Sequence, residues 1–324
     1  MTVDPLAKAP LTSWLPGYLL LALIWGSSFL LIKVSVGQLH PLYVTLGRVL
    51  AGTVTVLAVL AVTRVRLPRD WRTWGHLLFV GIFGAAIPFT LFGYGEERVS
   101  SILAGIWNAA TPLVALPVAA LVFRTERLTA RKAAGVLIGF AGVLVVLGVW
   151  EGIGGSALTG QLMCMGAAAC YGVAIPYQRR YLSGLAGSGI AVPAGQLLTA
   201  SAALLLITPL VAGPPPDLGG LSLKVIGSVL ALGALGTGLA FVLNFRVIRF
   251  AGATTSTSVT FLMPLVSTLI GVSLLGEHVV WHQPVGALIV LTGVAVSQGL
   301  HRRRVDGVAG ADGGTNHPKS TAVH

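Results

Sequence analysis

The stretch AAGVLIGFAGVLVVLG, residues 133 to 148, decides the class of fold. It contains no charged residue and does not alternate apolar with polar residues, as a strand of a membrane β-barrel would. Similar apolar stretches recur from Leu15 to Gly299, and about 20 such residues let a helix cross the hydrocarbon of a bilayer. The sequence therefore predicts an all-α membrane protein.

The composition points the same way. Of the 324 residues, 55% are hydrophobic and 10% are charged, and the mean hydropathy is +0.86. A soluble domain averages about 25% charged residues. Cys164 and Cys170 fall on different faces of one predicted helix, so they predict neither a disulfide nor a metal site. We expect no metal and no cofactor.

Charges, prolines and glycines mark the boundaries of ten predicted membrane spans. The spans cover residues 15–36, 41–63, 74–95, 99–123, 130–150, 158–178, 188–211, 222–245, 252–275 and 281–300. The first span lacks an evident signal-peptide cleavage site, so we interpret it as retained. A cytoplasmic segment is expected at residues 1–14, and a basic, then disordered, cytoplasmic tail at residues 301–324.

The positions of lysine and arginine predict the orientation, because these residues accumulate in cytoplasmic loops. With the N-terminus inside, the loops outside carry only Arg98 and Lys224, while Lys33 and Arg48 lie within spans. The net charge of +11 is then a topology signal and not a nucleic-acid footprint. We expect a protein of the bacterial inner membrane with both termini in the cytoplasm.

An internal repeat becomes visible when the sequence is shifted along itself. The shift aligns Gly81 with Gly233 and PLV at residues 112–114 with PLV at residues 264–266. Residues 15–150 and 158–300 are thus predicted to be repeats of five spans each. Because five is odd, the repeats must be inverted relative to each other, as in many secondary transporters.

The linkers after spans 4 and 9 differ in charge. RTERLTARK at residues 124–132 is basic, whereas the equivalent LGEHVVWHQ at residues 275–283 contains no lysine or arginine. We interpret this difference as a topology signal. Glu126 and Glu277 are retained in both linkers, and we expect each to stabilise the N-terminus of the span that follows it.

Several short motifs resemble the drug/metabolite transporter superfamily, in particular its EamA type. These motifs are WGSSF at residues 25–29, Lys33, Pro41 and Arg48 in the first two spans, and ERLT at residues 126–129. The resemblance implies ten helices, cytoplasmic termini and export of metabolites such as amino acids, and it supplies no catalytic motif.

The second half departs from this pattern. Tyr171 stands where Trp25 stands in the first half, and Ala194 stands where Arg48 stands. Any function of Lys33 and Arg48 is therefore expected in one half only.

Uncharged polar residues within spans are expected to face the interior of the bundle. Asn108 and Thr111 share one helical face in span 4, and Ser256 and Thr260 share the equivalent face in span 9. Such residues bind either substrate or a neighbouring helix. The predicted substrate cavity comprises Trp25, Ser28, Arg48, Trp107, Asn108, Thr111, Tyr171, Ser256 and Thr260.

Two prolines are predicted to break the helices beside these faces. Pro112 and Pro264 occupy equivalent positions in spans 4 and 9, and each frees a backbone carbonyl. We interpret them as candidate gating positions.

Charged residues near the predicted outer mouth allow alternative interpretations. Lys33 is expected to extend to the membrane interface, whereas Arg48 either pairs with a glutamate or binds a substrate carboxylate. Glu96 and Glu97 are candidate proton sites, but solvated loop residues are the favoured interpretation. None of the acidic residues lies deep in a predicted span.

The function expected from these features is secondary transport. The chain is predicted to export small metabolites, such as amino acids or related zwitterionic or neutral compounds, and not to be an enzyme. An exporter of drugs or hydrophobic compounds is one alternative, and a structural or lipid-interacting membrane protein is another. The expected partners are a small-molecule substrate and the lipid bilayer, without nucleic acid, and both monomer and homodimer stay open.

Overall fold

The computed structural model describes residues 11–148, 150, 155–251, 255–256 and 258–298, so the predicted tail and most of the N-terminal segment lie outside the described residues. The described residues form ten long helices and no strand. In chain order they are α1 (Leu11–Val36), α2 (Pro41–Thr63), α3 (Trp71–Glu96), α4 (Ser101–Val122), α5 (Ala130–Leu147), α6 (Gly155–Tyr181), α7 (Ala191–Ala212), α8 (Leu223–Ala251), α9 (Ser258–Leu275) and α10 (His282–Gln298).

Within the described ranges, nine helices, α1 to α9, have the length and hydropathy needed to cross a membrane. Helix α10 has 17 residues and ends at the last described residue. The chain is an integral membrane protein.

Side-chain caps start several helices at short loops. Ser100, Thr129 and Ser222 each accept a hydrogen bond from a backbone N–H three residues further on. Asp70 accepts one from the Thr73 N–H at 3.0 Å, and this bond lowers the pKa of the Asp70 carboxyl. These caps satisfy backbone donors that a helix N-terminus leaves without a partner.

Three helices are interrupted near their middle. Helices α3 and α8 contain π-helical segments at Ile82–Ala86 and Ala234–Leu239, which start at equivalent positions of the two repeats. Helix α4 breaks at Ala110, two residues before Pro112. Such local rewinding of a helix is frequent at functional sites.

The first helix of each repeat packs against a helix of the other repeat. Helix α1 packs against α9 where Gly26 touches Val266, and α6 packs against α4 where Gly172 touches Val114. A Cβ atom at either glycine would collide with the valine. Because both contacts join equivalent positions, each half packs its first helix on the other half.

Helices α5 and α10 are equivalent in sequence and pack antiparallel. Gly135 lies against Gly293, and Gly142 lies against Gly286, with backbones too close for any side chain between them. Gly139 also lies against Gly293. Such close approach of backbones at glycines is typical of helix packing in membranes.

Glu277 caps a different helix from the one expected. Its carboxylate accepts hydrogen bonds from the Ser101 N–H at 2.8 Å, the Ser101 hydroxyl at 2.9 Å and the Ile102 N–H at 3.2 Å. The prediction that Glu277 stabilises the start of the following helix is therefore wrong, because the carboxylate reaches the N-terminus of α4. Glu126 instead pairs with Lys132 in the first turn of α5, at 2.8 Å.

Candidate functional site

A cavity of about 550 Å³ lies between the two halves. Helices α1 to α4 of the first half and α6 to α9 of the second half contribute to its wall. The predicted residues that line it are Trp25, Ser28, Arg48, Asn108, Thr111, Tyr171 and Thr260. Tertiary packing thus brings residues from five helices of both repeats to one site.

The other predicted residues lie behind this wall. Trp107 is 1% exposed and belongs to the apolar core, and Ser256 is 3% exposed. Ser256 donates a hydrogen bond to the Asn244 side chain, which does line the cavity. Pro112 follows the break of α4 at Ala110, and Pro264 lies two residues after Leu262, where the 3-10 turn of α9 gives way to α-helix. Neither proline lines the cavity.

Arg48 is the charged group in the middle of the cavity wall. It is 7% exposed, and its Nε donates to the Thr237 hydroxyl at 3.0 Å. Its guanidinium carbon lies 3.5 Å from the centre of the Phe89 ring, a cation–π contact. Among the described residues, no carboxylate forms an ion pair with it.

The equivalent faces of α4 and α9 contact each other in the cavity wall. The Asn108 amide donates to the Met263 sulfur at 3.7 Å. The Thr111 hydroxyl donates to the Asn108 carbonyl at 2.8 Å. Pro112 has no backbone N–H to donate to this carbonyl, so the Thr111 hydroxyl provides the hydrogen bond that the helix would otherwise supply.

Aromatic rings form a continuous wall beside Arg48. Phe89 and Phe92 each lie against Tyr171, with centroid separations of 6.4 and 6.3 Å. Phe92 in turn packs edge-on against Phe29 at 5.5 Å. All four rings line the cavity. A ligand beside Arg48 would therefore contact mainly aromatic carbon.

Several lining residues were absent from the sequence prediction. Gln196 and Asn244 are uncharged polar residues within spans, so the criterion that selected Asn108 could have found them. No sequence signal singles out the aromatic residues, because phenylalanine is as common on lipid-facing surfaces. The lining residues missed include Phe89, Phe92, Gln196, Phe241, Asn244 and Phe245.

The cavity reaches the surface at one end of the bundle. Its lining continues to Arg179, Ser183 and Ile248, all of which are exposed, and we call this the open end. At the opposite end, Glu96 and Ser101 are 0% and 1% exposed and stand outside the cavity lining. We call this second region, where Lys33, Glu96, Ser101 and Glu277 lie, the closed end.

Lys33 and Glu96 form the centre of the closed end. The Lys33 ammonium donates to the backbone carbonyls of Glu96 and Val99, the latter at 2.8 Å. No hydrogen-bond donor among the described residues reaches the carboxyl oxygens of Glu96. The expectation that Glu96 is a solvated loop residue is therefore wrong. None of the charged residues at the predicted outer mouth, Lys33, Glu96 and Glu97, lines the cavity.

Glu97 differs from its neighbour. Its side chain is 33% exposed and pairs with Arg98 at 3.0 Å. The solvated interpretation thus describes Glu97 alone. Within the described ranges, no three histidine, cysteine, aspartate or glutamate side chains come together as a metal site would require.

The EamA-like transporter family matches the chain over residues 12–148 and 158–298, once for each repeat. The chain belongs to this family, which is consistent with the drug/metabolite transporter superfamily. It is thus a membrane transporter.

Individual relatives agree with this assignment. An uncharacterized transporter of Archaeoglobus fulgidus is 27% identical over 274 residues, covering 84% of this chain and 94% of its own. The uncharacterized inner membrane transporter YedA of Escherichia coli K12 is 26% identical, covering 79% and 81%. A crystal structure with 23% identity covers 91% of this chain and 100% of its own with a TM-score of 0.62, so it shares the fold.

Proposed function

We propose that the protein is a secondary transporter that exports small metabolites by alternating access of two inverted halves. Amino acids and related zwitterionic or neutral compounds are the first substrates to test. One observation carries the proposal: the cavity is built by both halves, open at one end and closed at the other. A protein that alternates access needs such a site between halves that move against each other.

The antiparallel packing of α5 against α10 supports the inverted arrangement. In the repeat alignment, Gly135 is equivalent to Gly286, and Gly142 is equivalent to Gly293. The contacts join the opposite members of these pairs, because Gly135 touches Gly293 and Gly142 touches Gly286. Reciprocal contacts of this kind characterise two units related by a two-fold axis. If α5 and α10 both cross the membrane, the repeats are inverted and the spans number ten.

The charge distribution supports an inward-facing state. Arg179 at the open end lies in the last turn of α6, and we place this end of α6 on the cytoplasmic side, together with both termini. The cavity then receives its substrate from the cytoplasm, as export requires. The inner membrane is the proposed location, and YedA is named an inner membrane transporter. Exposed apolar residues such as Leu137 and Phe140 supply the surface for lipid.

The aromatic wall favours one further candidate, export of larger hydrophobic compounds. A cavity of about 550 Å³ lies in the size range of sites for drug-sized ligands. Screening must therefore include such compounds.

The experiment compares metabolites released by cells that express the chain with those released by empty-vector cells. Release of a specific compound is expected only with the chain. In the Asn108→Leu variant, we expect release to fall about tenfold, because a cavity hydrogen bond is lost. Thr292→Leu serves as the control, because Thr292 is exposed on α10, away from the cavity.

Two outcomes contradict this proposal at different levels. Unchanged release by a normally expressed Asn108→Leu variant removes Asn108 from the site. No difference from empty-vector cells across amino acids, sugars and common drugs argues against export itself.

A further inference from the structure

The charge of the cavity wall has one sign only. Among the described residues that line the cavity, the charged ones are Arg48 and Arg179, and no aspartate or glutamate is present. Arg179 sits at the open end and pairs with Glu126 at 3.4 Å, whereas Arg48 lies deep and forms no ion pair. The interior of the cavity is therefore positive.

Arg48 has hydrogen-bonding capacity that the protein does not use. Of its five N–H donors, only the Nε–H is directed to a described residue, the Thr237 hydroxyl. Glu96 acts on Arg48 only through its electrostatic field and does not line the cavity. A buried charge without a counter-ion is costly, and in membrane proteins such a charge marks a functional site.

Phe89 holds the guanidinium in place for a ligand. The ring covers one face of the guanidinium, and Thr237 fixes the Nε edge. These contacts leave the two terminal nitrogens, whose planar fork matches a carboxylate in two parallel hydrogen bonds. Helices α2, α3 and α8 together fix this orientation.

We infer that the substrate is an organic anion, in which a carboxylate bound by Arg48 is joined to an apolar, aromatic body that packs against Phe89, Phe92 and Tyr171. This inference rests on the proposed transport function, and among small metabolites it places organic anions before zwitterionic and neutral compounds. The carboxylate of an amino acid fits the same site, but its ammonium finds no acidic partner in the described wall. Affinity is expected to fall from anion to zwitterion to cation, because Arg48 repels positive charge at low dielectric.

A series of ligands with one carbon skeleton tests this order. Purified protein in detergent is titrated at pH 7 with 3-phenylpropionate, phenylalanine and phenethylamine, and binding is measured by isothermal titration calorimetry. Propionate shows how much the ring contributes. We expect 3-phenylpropionate to bind tightest, phenylalanine about tenfold more weakly, and phenethylamine without measurable heat. Binding in detergent removes the leak of weak acids through lipid.

Arg48→Gln is expected to weaken 3-phenylpropionate binding about tenfold or more, because a charge-assisted pair is lost. Arg48→Lys keeps the charge but loses the planar fork. Its affinity for 3-phenylpropionate is expected to lie between those of the unaltered chain and Arg48→Gln. Arg98→Gln makes the same change outside the cavity and is expected to bind like the unaltered chain. Gel filtration checks the folding of each variant, and the ligand series decides the question even if an Arg48 variant fails to fold.

The outcomes separate this inference from the proposed function. Tighter binding of phenylalanine or phenethylamine, or no binding of 3-phenylpropionate, overturns the anion class but leaves metabolite export intact. Equal binding of propionate and 3-phenylpropionate overturns the aromatic body. Failure of export itself appears only in the cell-release experiment.

Discussion

The open and closed ends of the bundle use equivalent residues in different ways. At the closed end, Glu277 makes three hydrogen bonds to the N-terminus of α4. At the open end, its equivalent Glu126 makes ion pairs with Lys132 and Arg179, in which the side chains are between 22% and 51% exposed. The two equivalent glutamates therefore differ in their partners: Glu277 caps a helix of the other half, whereas Glu126 pairs with partly exposed bases, one of which, Arg179, belongs to the other half.

This difference shows what closes one end. Helix α4 brings backbone donors to the closed end, and a linker from the other half supplies the acceptor. Lys33 similarly ties α1 to carbonyls at the end of α3. Polar contacts between helices thus close this end, whereas the apolar core of the bundle lies beneath it.

The largest expected effect is the destabilisation of the closed end by removal of the Glu277 side chain, compared with removal of the Glu126 side chain. Glu277→Ala should destabilise the closed end by about 2 kcal/mol, because a helix cap and its hydrogen bonds are lost. Glu126→Ala should cost about 0–1 kcal/mol, since exposed ion pairs contribute little. Cys164 is buried against Gly95, next to Glu96 at the closed end. In a Cys170→Ser background, the rate at which maleimide labels Cys164 therefore reports opening of this end.

We expect labelling of Cys164 to rise about tenfold or more in Glu277→Ala and to stay unchanged in Glu126→Ala. Equal labelling in both variants would show that the cap on α4 does not hold the closed end.

The next effect concerns Lys33. Lys33→Met removes two hydrogen bonds from an ammonium to backbone carbonyls and should destabilise the closed end by about 1–2 kcal/mol. Lys224→Met is the matched control, because Lys224 is exposed near the same end. The stability of both variants is measured as the free energy of unfolding in detergent. A loss as small as the control's would mean that Lys33 only extends to the interface, as the sequence suggested.

The smallest expected effect is the change in the free energy of unfolding when Glu96, and not its neighbour Glu97, is replaced by glutamine. Glu96→Gln should raise the free energy of unfolding by about 1 kcal/mol at pH 7, because a neutral amide costs less than a carboxylate without donors. Glu97→Gln should change it by less than about 0.5 kcal/mol, since the Glu97–Arg98 pair is exposed. A destabilised Glu96→Gln variant would indicate that the buried charge stabilises the closed end through Lys33.

Sequence periodicity located most helices within a few residues. Helix α2 begins and ends at the predicted residues 41 and 63, because a proline and an arginine mark its ends. Helix α8 runs to Ala251, beyond the predicted end at residue 245, because Arg246 and Arg249 continue the helix past the apolar stretch. Charged residues mark the end of the apolar, membrane-spanning part of a helix, but the helix itself can continue beyond them.

The charged candidates differ in where the structure places them. For Arg48 the sequence leaves an ion pair and a substrate carboxylate open, and the residue lines the cavity, whereas Glu96 is expected in solvent and is buried. A residue at the end of an apolar stretch is exposed or buried according to which helices cover it. The positions of α1, α6 and the Glu277 linker decide this for Glu96, and they are far away in sequence.

The sequence by itself determined the membrane class, the two repeats and the polar faces of α4 and α9, because hydropathy and helical periodicity are local properties. Only the tertiary structure decided which end of the bundle is closed, that Glu277 caps α4, and that Phe89 holds Arg48 toward the cavity. These features depend on contacts between helices more than forty residues apart, for which a single sequence carries no local signal.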